Sequence, residues 1–150
     1  MNLKEKINED LKSAMKEGDK TKLTTVRSIR ALILEFEKSG TGKELTGEEE
    51  IKLLSSAAKK RKDSIEQFKN AGRDDLAEKE EAELNILMSY LPKQLTEEEI
   101  DKEVKRIGEE INAKSKDDFP KLMPEVMKQL KGKADGKLVK ISVENYLSNN

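Results

Sequence analysis

The chain is expected to be all-α, in two small helical domains: an N-terminal helical bundle over residues 1–92 and a smaller three-helix domain over residues 93–150. Three features carry that expectation. Charged residues fill 41% of the chain and aromatics only 3%, which suits exposed, ion-paired helices and not the thick core of a sandwich or barrel. Apolar residues recur three and four positions apart along most of the length, the period of a helix with one buried face. Helix start and stop signals punctuate that pattern, and no stretch requires a strand.

Leu3, Ile7, Leu11, Ala14 and Met15 form the stripe of a first helix that Gly18 can close. Leu23, Val26, Ile29, Leu32, Ile33 and Phe36 mark a second, ended by the loop Ser39 to Gly42, and the short link between the two predicts an antiparallel pair. Thr46 and Glu49 have the spacing of a capping box, in which hydroxyl and carboxylate each satisfy a free N–H at a helix start. The third helix runs on Ile51, Leu54, Ala58, Ile65 and Phe68 up to Gly72. Asp74 or Asp75 can cap a fourth, carrying Leu76, Leu84, Leu87, Met88 and Leu91, and Pro92 stops it because a proline pushes the preceding residue out of helical geometry.

The segment LPKQLTEEEI, Leu91 to Ile100, is the domain boundary. Thr96 and Glu99 repeat the capping box, and Leu95 with Ile100 has the spacing of a hydrophobic staple. A fifth helix follows on Ile100, Val104, Ile107 and Ile111. The sixth starts over Ser115 to Asp118 and carries Phe119, Leu122, Met123, Val126, Met127 and Leu130; Pro120 and Pro124 demand a late start near Asp118 or a kink. The last begins near Asp135 and runs through Leu138, Val139, Val143, Tyr146 and Leu147. The two capping boxes are convergent helix starts and not a repeat, since the residues beyond them match at no fixed period.

Cysteine and histidine are both absent. Disulfides, thiolate nucleophiles, the Ser-His-Asp triad and the commonest zinc ligands are thereby excluded, and no cofactor or metal is expected. The first residues, MNLKEKINEDLK, contain no apolar leader core, and no window reaches the roughly 18 to 20 apolar residues needed to cross a bilayer. These features predict a cytoplasmic protein with no membrane contact.

The net charge of -1 hides a sorting of charge along the chain. Residues 52–73 hold seven Lys or Arg against Asp63 and Glu66, and the following DDLAEKEEAE holds six acids against Lys79. Residues 96–120 carry nine acids against five bases, and residues 121–140 six lysines against Glu125 and Asp135. Basic clusters of this kind can meet a phosphate backbone. Neighbouring acidic and basic helices can equally pair with each other on a solvated surface.

The stretch KGKADGKLVK, Lys131 to Lys140, concentrates that basicity between two apolar runs. It is not a P-loop: its glycines lie one residue too close for G-x-x-x-x-G-K, Leu138 stands where magnesium needs Ser or Thr, and no strand precedes it. Gly132 can close the sixth helix and Asp135 can cap the seventh. The first N–H groups of the seventh would then face outward beside Lys131, Lys133 and Lys137, where they could hold a phosphate. A solvated helix-turn-helix link is the plainer alternative.

KGKADGKLV at Lys131 to Val139, YLPKQLTEEEI at Tyr90 to Ile100 and KKRKDSIEQFKNAGRDDLAEKE at Lys59 to Glu80, in this order, resemble the YqeY-like family. The family's C-terminal part resembles the tail of the B subunit of the aspartyl/glutamyl-tRNA amidotransferase, here over about residues 95–150. Matching positions are Arg61, Ser64, Gly72, Arg73, Tyr90, Leu91, Pro92, Gly132, Ala134, Asp135, Gly136, Lys137 and Leu138. The resemblance implies a helical, tRNA-interacting protein that lacks the amidotransferase's catalytic part. RNA contacts are expected from Lys131, Gly132, Lys133, Gly136 and Lys137, extended by Lys60, Arg61 and Arg73. An adaptor docking on an amidotransferase or synthetase complex is the alternative. A carbon-nitrogen ligase activity, as the family's borrowed label suggests, is disfavoured, because the acidic runs lie at helix starts where capping and the helix dipole already account for them.

Overall fold

A computed structural model of the protein describes residues 1–39 and 45–149. Among these residues it is all-helical, with α1 (Leu3–Glu17), α2 (Lys20–Lys38), α3 (Gly47–Asn70), α4 (Asp74–Met88), α5 (Glu97–Glu110), α6 (Phe119–Gln129) and α7 (Gly136–Ser148), and a short 3-10 turn at Lys116–Asp118 before α6. Contacts cluster into two compact units, Met1–Leu91 and Pro92–Asn150.

The helix ends follow local chemistry. Asn2 and Thr96 each form the complete reciprocal capping box, with Glu5 and Glu99. At Thr46 only the hydroxyl arm forms, accepting from the Glu49 N–H. Backbone and side-chain hydrogen bonds at Thr96 hold the Glu99 carboxyl below the usual glutamate range. Gly18 closes α1 in the left-handed region, φ 70°, where a side chain would clash with its own backbone. Of the expected loop after α2, Gly40 to Gly42 lie outside the described residues.

In the first unit α1 packs against α2, α2 against α4, and α3 against α4. Lys4 pairs with Glu37 and Arg30 donates to Asn8, so α1 and α2 run antiparallel. Ile7, Val26, Ile29, Ile33, Leu54, Ala58 and Leu87 meet in one buried core. Met15 does not belong to the buried stripe; it is 59% exposed.

Two expectations about α4 are corrected. Neither Asp74 nor Asp75 caps it: Arg73 holds the cap position without a side-chain bond, and both aspartates lie in the first turn, where they favour the positive end of the helix dipole. Pro92 does not stop it either. The helix ends at Met88, and Ser89, Tyr90 and Leu91 donate to carbonyls three residues back, tightening the chain out of the helix before the proline is reached.

In the second unit α5, α6 and α7 pack on one another around Ile100, Val104, Ile107, Leu122, Val126, Leu130, Val139, Val143 and Leu147. Leu95 packs on this core beside Ile100, as a staple requires. Gly108 lets α5 approach α7: a Cβ there would lie 2.4 Å from the Tyr146 ring. A late start accommodates Pro120 but not Pro124. Ser115 to Asp118 make the 3-10 turn, Pro120 sits in the first turn of α6 where its missing N–H costs nothing, and only Pro124 lies inside the helix. The Asp118 carboxylate accepts the Lys114 and Ser115 N–H groups, which holds it below the usual aspartate range.

Candidate nucleic-acid interface

The link between α6 and α7 is a six-residue turn with a buried underside and a basic top. Leu130 and Val139 are buried at its two ends, and Ala134 packs against the core between them. This explains why lysines alternate with small and apolar residues there. Lys131, Lys133 and Lys137 are exposed.

Gly132 does not close α6 directly. The helix ends at Gln129, Leu130 takes the cap position, and the Leu130 carbonyl then accepts the Lys133 N–H at 2.9 Å. Gly132 occupies the third place of that four-residue turn with φ 76°, which glycine adopts without a steric cost. Asp135 caps α7 as expected, accepting the Lys137 N–H at 2.8 Å. The start of α7 therefore already faces a carboxylate. Any phosphate drawn to this turn depends on the lysine ammonium groups more than on the helix-start N–H groups anticipated from the sequence.

Two contacts from the start of the second unit hold the turn in shape. The Gln94 carboxamide donates to the Pro92 carbonyl at 2.8 Å and to the Gly132 carbonyl at 2.7 Å, and the Leu95 N–H donates to the Lys133 carbonyl at 2.7 Å. Sequence reasoning assigned no role to Gln94. No signal along the chain points to it, because the carbonyl it meets lies 38 residues away.

The other candidate residues lie in the first unit. Lys60 is exposed on α3. Arg73 is exposed and pairs with Asp75 at 3.1 Å; the Asp75 carboxylate raises the guanidinium's pKa, and the guanidinium in turn lowers that of Asp75. Arg61 is not part of a basic surface. Its side chain is only 16% exposed and bridges Glu80 at 3.0 Å, the buried Glu83, and the Ser28 hydroxyl at 3.1 Å. Lys69 pairs with Glu81 at 2.8 Å. In this unit the sorted charge brings the basic α3 and acidic α4 together, the alternative that the sequence left open.

The family-matched residues near the boundary also have internal roles. Gly72, φ 72°, turns the chain between α3 and α4. The Tyr90 hydroxyl donates to Asp10, and burial, followed by that contact, pushes its pKa well above the usual tyrosine range. Among the described residues, no group of three or more acids is placed to hold a metal ion, and no helix is long and apolar enough to cross a membrane.

Fold and turn together define a small all-helical protein that presents a lysine-bearing link between its last two helices. The chain belongs to the YqeY-like family: the family model described as Yqey-like protein matches residues 4–147. Relatives named "Altered inheritance of mitochondria protein 41, mitochondrial" include one from Pyrenophora tritici-repentis, 37% identical over 86% of this chain and 71% of its own length. The Lachancea thermotolerans protein of that name is 36% identical over 70% of this chain and 57% of its own, and the Saccharomyces cerevisiae one 35% over 71% and 58%. The chain thus spans less than two thirds of the latter two relatives. Their names overturn the cytoplasmic placement expected from the sequence: the matched relatives are designated mitochondrial. A missing apolar leader core or spanning run bears on secretion and membrane insertion, and does not distinguish one internal compartment from another.

Proposed function

We propose that this protein binds structured RNA, tRNA foremost, by phosphate contacts from Lys131, Lys133 and Lys137, without a catalytic centre of its own. The observation that carries the reading is the turn: three exposed lysines within seven residues, on backbone held by a left-handed glycine and by Gln94 and Leu95. Lysines so placed grip a backbone without reading bases, and the shortage of aromatics leaves little for base stacking. Lys60 and Arg73 are candidates for further phosphate contacts; Arg61 is not, because its ion pairs hold the α3–α4 hairpin. The docking of an adaptor on an amidotransferase or synthetase complex drew its support from sorted charge, and part of that charge is used inside the first unit.

The test is a titration of labelled tRNA at several salt concentrations. Log affinity is expected to fall linearly with log salt, with a slope magnitude of about 2 to 3 for three phosphate contacts. No detectable binding at low salt sinks the proposal. Recovery of a protein partner after nuclease treatment, with no RNA crosslink, would favour the adaptor.

The capping carboxylate supplies a second test with the opposite sign. Asp135→Asn retains an oxygen that can accept the Lys137 N–H and removes a negative charge from among the lysines. Helix stability should change by no more than about 0.5 kcal/mol, and tRNA affinity at low salt should rise about two- to fivefold. Unchanged or weaker binding would mean that phosphate does not approach this side of the turn.

A further inference from the structure

We infer that Gln94 is a positioning residue for the lysine turn, setting the direction in which Lys133 leaves the backbone. The functional half of this inference rests on the RNA-binding reading; the structural half does not.

Within the turn the Lys133 N–H donates to the Leu130 carbonyl, and the residue this bond encloses beside Lys131 is glycine, the least restricted in the chain. Two donors from outside the turn fix two of its carbonyls. Gln94 Nε2 reaches the Gly132 carbonyl and the Leu95 N–H reaches the next one, Lys133, each at 2.7 Å. Anchoring consecutive carbonyls fixes two successive peptide planes, and with them the Cα–Cβ direction of Lys133, the residue between them.

The chemistry at Gln94 is specific. One carboxamide nitrogen has two N–H donors, and both are used, toward Pro92 and Gly132. A carboxylate of the same size has none and would place its oxygens against two carbonyls. Leu95 makes its contact through the backbone, so of the two anchors Gln94 is the one a side-chain change can remove.

The prediction separates positioning from contact. In Gln94→Ala and Gln94→Glu the helical content of the intact chain should be retained, and NMR order parameters at Gly132 to Ala134 should fall in the absence of RNA. Affinity for bulk tRNA should drop about three- to tenfold, because Lys133 must then be ordered on binding. The salt slope should stay as in the parent, because the same phosphates are still neutralised. Unchanged turn order in both variants overturns the inference, as does a slope reduced by about one or more, which would signal lost contacts and not misplaced ones. Should the parent chain bind no tRNA, the RNA reading falls while the order parameters still decide the role of Gln94.

Discussion

Arg61→Ala is expected to destabilise the first unit by about 3 kcal/mol or more, the largest effect of any change to a charged residue in this chain. The guanidinium bridges Glu80 and Glu83 and reaches the Ser28 hydroxyl, and the Glu83 side chain is only 6% exposed. Removing the arginine leaves that carboxylate desolvated with no positive partner, a state far costlier than the intact pair is favourable. Chemical denaturation followed by helical signal measures the loss. Arg61→Met combined with Glu83→Leu should recover much of it, because the orphaned charge and the gap go together. If Arg61→Ala left stability intact but weakened tRNA binding, the arginine would be a phosphate contact after all.

The second large effect is on binding. Lys131→Ala with Lys137→Ala should lower tRNA affinity about tenfold or more at moderate salt and reduce the salt slope by about two, since each lost phosphate contact removes roughly one released counterion. Both side chains are exposed, so the fold should be little disturbed, and a thermal melt would show whether it is. The pairing of the two readouts matters. An affinity loss with an unchanged slope would point to a shape change in the turn, the signature expected of Gln94 instead. Unchanged affinity would show that RNA, if bound, is held elsewhere.

Much of the fold and part of the candidate interface were legible because their features are local. Asp135 caps α7 through a bond to a residue two positions on, and the Thr96–Glu99 box and the left-handed Gly18 involve contacts within one helical turn. Such bonds depend on nearest neighbours in the chain, so residue type and spacing suffice to find them. The late start of α6 was legible for the same reason: proline forbids particular hydrogen bonds wherever it stands. The misses at α4 arise where more than one local closure is open to the same residues. An aspartate just before a helical run can be a cap or a first-turn residue, and where the chain leaves the α3–α4 turn settles which, through the Arg73 N–H to Phe68 bond after Gly72.

Arg61 and Gln94 show where reading along the chain stops. Arg61 sits in a basic run that looks like a phosphate surface, yet its partners lie 19 and 22 residues further on, brought beside it when α4 packs on α3. Gln94 meets a carbonyl 38 residues away. The helices, most of their ends and most of their buried faces were written in composition, spacing and caps, because those interactions close within a few residues. Whether a given charge faces solvent or a neighbouring helix, and which amide holds the lysine turn, came from packing, because helix pairing and rotation choose the side chains that meet.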